Sequence, residues 1–206
     1  MDLNTATWIG LKLVAVVVLV LMNGFFVAAE FALVKVRDTQ LEPYVAKGQR
    51  RARIARKTLH NLDACLSATQ LGITIASLLL GWIAEPVFAS LLEPIMGLLQ
   101  IESAQMKHSA AFAVGFTTIT FMHIVAGELA PKSLAIRRSL QTSLWVALPL
   151  HWFYRASFPM IWLLNHTANW LLRRIGIEPV TEMEMVHSEE ELRLIVGAVH
   201  KHKGTP

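Results

Sequence analysis

The chain has little cysteine and little charge. Its one cysteine, Cys65, excludes an intramolecular disulfide and a cysteine-rich zinc site. Charged residues make up 17% of the sequence and hydrophobic residues 54%. Soluble domains usually carry about a quarter charged residues, so this chain has too few charges for a water-facing surface. The composition is typical of a membrane protein.

Enzyme motifs are also absent from the sequence. It contains no H-E-x-x-H motif, no G-x-S-x-G motif, no phosphate-binding loop and no paired-cysteine motif, so no enzymatic activity is predicted. The net charge of +4 comes from basic residues in short stretches beside apolar segments. That pattern indicates membrane topology, and no nucleic-acid partner is expected.

Three apolar stretches are long enough to cross a hydrocarbon core of about 30 Å. They run approximately over residues 9–34, 62–82 and 109–126. Residues 35–57 carry eight basic side chains against two acidic ones, which predicts a cytoplasmic loop. We therefore expect a bacterial inner-membrane protein with its N-terminus outside and its C-terminus in the cytoplasm.

The regions between and after the spans are less regular. Pro86 and Pro94 predict short or re-entrant helices on the outer side. Residues 140–172 are apolar but have arginine pairs at both ends, which favours a helical hairpin or belt at the inner interface, with one extra crossing as the alternative. Residues 1–175 would form the membrane domain. Residues 176–206 would form an acidic and then amphipathic cytoplasmic segment that leads into a further domain, with a capping box at Ser188–Glu191.

Polar residues inside spans are informative because each must be satisfied without water. On the first span, Asn23 and Glu30 lie two turns apart on one face, and Gly24 follows Asn23. On the second span, polar residues recur at steps of three and four and form one stripe: Asp63, Ser67, Gln70, Thr74 and Ser77. The stripe faces either a partner helix or a water-filled path.

On the third span, a proline predicts a helix break. Pro131 lacks an N–H and disfavours the helical bond to the Gly127 carbonyl, so a freed carbonyl would lie beside the Glu128 carboxylate. Gly24 marks a second predicted break, in the first span. Broken helices of this kind line ion sites in transporters. His123 is expected to be a hydrogen-bonded packing residue.

The polar groups in the spans are amide, hydroxyl, carboxylate and carbonyl oxygens, which suit Mg²⁺, Ca²⁺ or Na⁺ better than zinc or copper. Two interpretations remain open from the residues alone. The groups ligate a hard cation, or they form interhelical hydrogen bonds beside close-packing glycines.

Three segments resemble the membrane domain shared by bacterial CorC proteins and animal CNNM proteins. They are Asn23–Leu33, Leu66–Gly72 and Gly127–Ser133, and the resemblance runs in order over nearly the whole chain. Ser188–Arg193 resembles the helix that leads into the paired CBS domains of that family, which the sequence does not include.

The resemblance implies an all-α membrane protein with three transmembrane helices, short re-entrant helices and an inner-face juxtamembrane helical belt, assembled as a homodimer in the lipid bilayer. It implies Mg²⁺ export coupled to Na⁺ influx by alternating access, with ATP bound at the CBS domains. The alternative is a Mg²⁺-sensing regulatory membrane protein without vectorial transport. The implied Mg²⁺ ligands are Asn23, Ser67, Gly127 through its carbonyl and Glu128, with the Ala28 carbonyl as an addition. Gln70, Thr74 and Glu30 are assigned to a Na⁺ site or pathway.

Overall fold

A computed structural model of the chain describes residues 3–98 and 104–176, and these ranges are helical with no strand. The helices are α1 (Leu3–Lys35), α2 (Asp38–Ala46), α3 (Arg50–His60), α4 (Leu62–Leu98), α5 (Ala104–Met122), a π-helix (His123–Leu129), α6 (Ala130–Arg137) and α7 (Ser139–Arg174). The chain divides into two compact units, Met1–Ile161 and Trp162–Pro206. The predicted all-α class is confirmed. The predicted capping box and most of the predicted 176–206 segment lie outside the described residues.

Three stretches of helix are long and apolar enough to cross a membrane: Thr7–Lys35, Leu62–Phe88 and Phe112–Arg137. They confirm the three predicted spans, and each extends beyond its predicted end. The third is composite, since it joins the end of α5, the π-helix and α6.

Two predicted interruptions are wrong. α4 runs through Pro86 and Pro94 to Leu98, so this part of the predicted re-entrant pair is continuous helix; residues 99–103 lie outside the described ranges. α7 likewise contains Pro149 and Pro159 without a turn, which excludes the hairpin. A proline removes one backbone hydrogen bond, and a helix of more than 30 residues retains the others. The belt at the inner interface stays a prediction.

α1 packs closely against α4 because a glycine of α4 faces a phenylalanine of α1. A Cβ built at Gly72 would lie 2.5 Å from the Phe26 ring, closer than real contacts allow. Phe26 and Leu33 continue into a buried cluster with Cys65 of α4 and Val146 of α7. This core fixes the rotation of α1 and thereby directs its polar residues.

α2 and α3 form a helical hairpin beside the spans. Gly48, at φ +77°, provides the left-handed residue of the connecting turn. Arg56 pairs with Asp38 across the hairpin at 3.0 Å, and Ala55 is buried against Ala147 of α7. Most basic residues of α3 remain exposed: Arg50, Arg51, Arg53 and Lys57.

Candidate functional site

Asn23 is a buried polar residue in the middle of α1. Its side chain is 2% exposed, and its Nδ2 donates a hydrogen bond to the Gly127 carbonyl over 3.0 Å. In an α-helix this carbonyl would accept from the N–H of residue 131, but Pro131 has none. Asn23 thus supplies a donor where proline removes one.

Ser77 connects the same amide to α4. Its hydroxyl donates to Asn23 Oδ1 over 3.2 Å and lies 3.5 Å from His123 Nε2. Residues of α1, α4 and the π-helix therefore meet at one level of the bundle. We call Asn23, Ser77, His123 and Gly127 the polar crossing.

The hydrogen bonds of the polar crossing fix the orientation of its groups. If the Asn23 amide were rotated by half a turn, Oδ1 would face the Gly127 carbonyl, and two acceptors would oppose each other. The Ser77 hydroxyl has one proton, which it gives to Asn23 Oδ1. A bond between Ser77 and His123 then requires a proton on His123 Nε2.

Two glycines permit the close approach of α1 to the third span. A Cβ at Gly127 would lie 2.9 Å from His123 Cδ2 and 3.2 Å from Asn23 Nδ2. A Cβ at Gly24 would lie 2.9 Å from Pro131 Cγ and 3.2 Å from the Ala126 carbonyl oxygen. A larger residue at either position would push the helices apart and lengthen the Asn23–Gly127 bond.

The predicted helix breaks at Gly24 and Pro131 are wrong. α1 is continuous through Gly24, which instead packs against Pro131. The third span changes to a π-helix and continues as α6, with Pro131 in the first turn of α6. Proline fits there because the first N–H groups of a helix need no intrahelical acceptor. The interruption is a widened turn, and the Gly127 carbonyl within it accepts from Asn23.

Glu128 and Ser67, two predicted ligands, lie away from the hydrogen bonds of the polar crossing. The Glu128 side chain is exposed, whereas the preceding Gly127 is buried. The Ser67 hydroxyl donates to the Asp63 carbonyl over 3.0 Å. Ser67 precedes Ser77 by ten residues of continuous helix, which corresponds to about 15 Å along the axis. The structure therefore brings Asn23 and Gly127 together and places Ser67 at a different level.

The predicted pathway residues Gln70 and Thr74 are both exposed on α4, where the Thr74 hydroxyl donates to the Gln70 carbonyl over 2.8 Å. Glu30 is half-buried and within electrostatic range of Lys132. Ala28 is buried against Ala135 of α6. The ligand and pathway roles of these residues remain predictions.

Within residues 3–98 and 104–176, no three His, Cys, Asp or Glu side chains are grouped closely enough to hold a metal ion. A cation bound here would therefore depend on amide, hydroxyl and carbonyl oxygens with few carboxylates. Such a donor set is typical of hard cations that retain some of their water.

A cavity of about 350 Å³ opens beside the polar crossing, between α4 and α5. Ser77, Thr120 and His123 line its polar side, and Leu80, Phe116 and Ile119 are among its apolar residues. The sequence placed Ser77 at the end of a polar stripe and predicted a hydrogen-bonded packing role for His123, but it did not predict that the two residues meet. The helical spacing of Thr120, His123 and Gly127 predicted that these residues share one side of the third span, but spacing within one span does not indicate which residue of another span lies opposite.

Comparison with known proteins assigns the family. The family model described as the cyclin M (CNNM) transmembrane N-terminal domain matches residues 14–205. The chain belongs to this family. The match covers most of the first span, the whole of the other two, the polar crossing and the α2–α3 hairpin. The resemblance of the three sequence segments is thereby confirmed.

Relatives of this CNNM-family chain occur in distant bacteria. UPF0053 protein YugS of Bacillus subtilis is 45% identical over 187 residues, which cover 91% of this chain and 43% of the relative. Uncharacterized protein Rv1841c of Mycobacterium tuberculosis is 32% identical over 197 residues, which cover 96% of this chain and 54% of the relative. The chain thus spans about half or less of the curated relatives that it matches.

Proposed function

We propose that this chain is the ion-conducting part of a Mg²⁺ transporter that exports Mg²⁺ in exchange for Na⁺. The family and the three membrane-spanning helices are consistent with a membrane role related to Mg²⁺ transport. The observation that carries the proposal is the buried bond from Asn23 to the Gly127 carbonyl. It joins the first and third spans four residues before Pro131, which has no N–H to offer this carbonyl, and Ser77 adds the second span.

The orientation of Asn23 gives the proposal a mechanism. In the described arrangement, Nδ2 faces the Gly127 carbonyl and Oδ1 accepts from Ser77. A cation on the carbonyl would repel Nδ2 and attract Oδ1, so the amide would have to turn. That turn breaks the bonds to both neighbouring spans. Cation binding is therefore coupled to loosening of the contacts between α1, α4 and the third span, as alternating access requires.

The other predicted ligands would line an ion path at two depths of the membrane, one beside the polar crossing and one nearer the cytoplasm. Glu128, exposed beside the polar crossing, would supply negative charge for a partly hydrated Mg²⁺. Ser67, Ala28 and Glu30 would line the path toward the cytoplasmic side, and exposed Gln70 and Thr74 would bind Na⁺. We further propose a homodimer, with ATP bound at CBS domains outside this chain.

Mg²⁺ flux in proteoliposomes tests the proposal. We would follow entrapped Mg²⁺ with a dye, with and without an opposing Na⁺ gradient. Glu128→Gln and Asn23→Ala should each reduce Na⁺-dependent flux at least about ten-fold, equivalent to about 1.4 kcal/mol. Matched controls are Glu42→Gln and Asn169→Ala, which remove the same groups from exposed positions outside the spans; both should retain flux.

The same variants separate transport from its alternatives. Mg²⁺ binding by calorimetry without flux in the unaltered chain would favour the sensor. If no Mg²⁺ binds and Asn23→Ala only lowers the thermal stability, the polar crossing is interhelical packing. The bonds that engage both ends of the Asn23 amide favour that last alternative over the sensor.

A further inference from the structure

A second polar site lies between α3 and α7, away from the polar crossing. Two adjacent cavities of about 520 and 560 Å³ share Lys57, His151 and Arg155 in their linings. Arg50 lines the second cavity as well. We call these two cavities the basic cleft.

Helical spacing brings the basic residues of the cleft together. Arg50 and Lys57 are two turns apart on α3, and His151 and Arg155 are one turn apart on α7. Ala55 of α3 and Ala147 of α7 belong to one buried cluster, which joins the two helices. The longer side chains around this contact leave open space at the rim.

The basic cleft has a strong excess of positive charge. Arg50, Lys57 and Arg155 carry fixed charges, and no carboxylate lines either cavity. On the α2–α3 hairpin, Arg56 forms an ion pair with Asp38. Within the described residues, the three cations of the cleft form no ion pair with an acidic side chain. Their charges are therefore available to an anion.

The position of the cleft indicates where that anion comes from. α4 enters its apolar span at Leu62, directly after Asn61, which lines the cleft. The cleft therefore lies at the level where the chain enters the membrane, on the side that the basic residues assign to the cytoplasm. Trp152, 62% exposed, and Tyr154 line it, as is usual for side chains at the headgroup level.

We propose that the basic cleft binds the phosphate of an anionic phospholipid of the inner leaflet. A guanidinium and an ammonium group together offer the several donors that phosphate oxygens accept. Apolar Ile54, Leu148 and Phe158 also line the cavities, and they would contact the glycerol and first acyl carbons. A soluble phosphate would leave those apolar residues unused. A zwitterionic lipid would also bring the cationic group of its headgroup into the cleft, where the basic residues would repel it.

Lipid titration of the purified chain in neutral detergent tests this site. The probes are dioctanoyl phosphatidylglycerol, dioctanoyl phosphatidylcholine and inorganic phosphate, with the bound fraction read by native mass spectrometry. Lys57→Gln combined with Arg155→Gln should weaken phosphatidylglycerol binding about twenty-five-fold, taking about five-fold for each basic residue. Both residues are exposed, so an unchanged melting temperature is expected and confirms folding.

A control variant removes the same amount of charge elsewhere. Arg51→Gln combined with Arg173→Gln changes two exposed arginines that line neither cavity. It should keep phosphatidylglycerol affinity within about two-fold of the unaltered chain. Equal losses in the two double variants would refute the cleft and indicate diffuse attraction. Equal binding of phosphatidylcholine, or displacement of the lipid by an equal concentration of inorganic phosphate, would refute the lipid as its ligand.

Discussion

At the scale of single residues, the polar crossing depends on an asparagine that is almost fully buried. An amide buried without partners costs roughly 1–3 kcal/mol, and Asn23 avoids that cost through the Gly127 carbonyl and the Ser77 hydroxyl. Aspartate in the same place would set a carboxylate against the carbonyl. A neutral amide that can both donate and accept is therefore suited to a position where a cation would compete with a hydrogen bond.

Gly127→Ala should disrupt the polar crossing, because the new Cβ would lie 2.9 Å from His123 and 3.2 Å from the Asn23 amide. We expect a loss of about 1–3 kcal/mol in unfolding free energy and loss of flux. The measurement is reversible unfolding in detergent together with the liposome assay.

The matched control is Gly81→Ala, since no atom lies within 4 Å of a Cβ built there. This change should be neutral or stabilise α4 by up to about 1 kcal/mol. Equal destabilisation by the two substitutions would contradict the close-approach role of Gly127.

At the scale of elements, the π-helix is the unusual feature of the third span. Its seven residues, His123–Leu129, form wider turns than an α-helix. The altered register buries Gly127 against α1 and leaves Glu128 exposed. π-turns inside α-helices occur frequently at functional sites, which agrees with the position of this one beside Asn23.

The contribution of Pro131 to this element can be measured with a double-mutant cycle. Pro131→Ala restores an N–H that can bond to the Gly127 carbonyl. Asn23→Ala should then cost about 1 kcal/mol less in the Pro131→Ala background than in the unaltered chain. The readout is the free energy of unfolding in detergent. Additive effects of the two substitutions would show that Asn23 does not substitute for the donor that proline lacks.

At the scale of the whole molecule, the basic residues are distributed unevenly along the chain. α3 carries four arginines and one lysine with no acidic residue, whereas the N-terminal half of α1 carries Trp8 and one basic residue, Lys12. Positive-inside orientation then predicts that Trp8 faces outward and the α2–α3 turn faces the cytoplasm. The basic cleft and the polar crossing would accordingly lie at different depths of the membrane.

Cysteine labelling in intact cells tests this orientation. In a Cys65→Ala background, a membrane-impermeant maleimide should label Trp8→Cys from outside and should label Gln49→Cys only after the cells are permeabilised. The Cys65→Ala protein is the unlabelled control. The reverse pattern would invert the topology and move the basic cleft to the outer leaflet.

The sequence by itself determined the membrane class, the three spans and the residues that carry their polarity. Hydropathy and the spacing of Asn23, Ser77 and Gly127 are local properties, so they can be derived from the order of residues.

Tertiary structure decided which of these groups meet. Pro131 drew attention to the Gly127 carbonyl, but only the packing of Gly24 and Gly127 against neighbouring helices brings Asn23 to that carbonyl, and the helix widens there without breaking. Ser67 shares its helix with Ser77, yet about 15 Å of rigid helix separates the two. A helical stripe fixes which face a residue occupies; the depth at which it meets another span depends on how the helices pack.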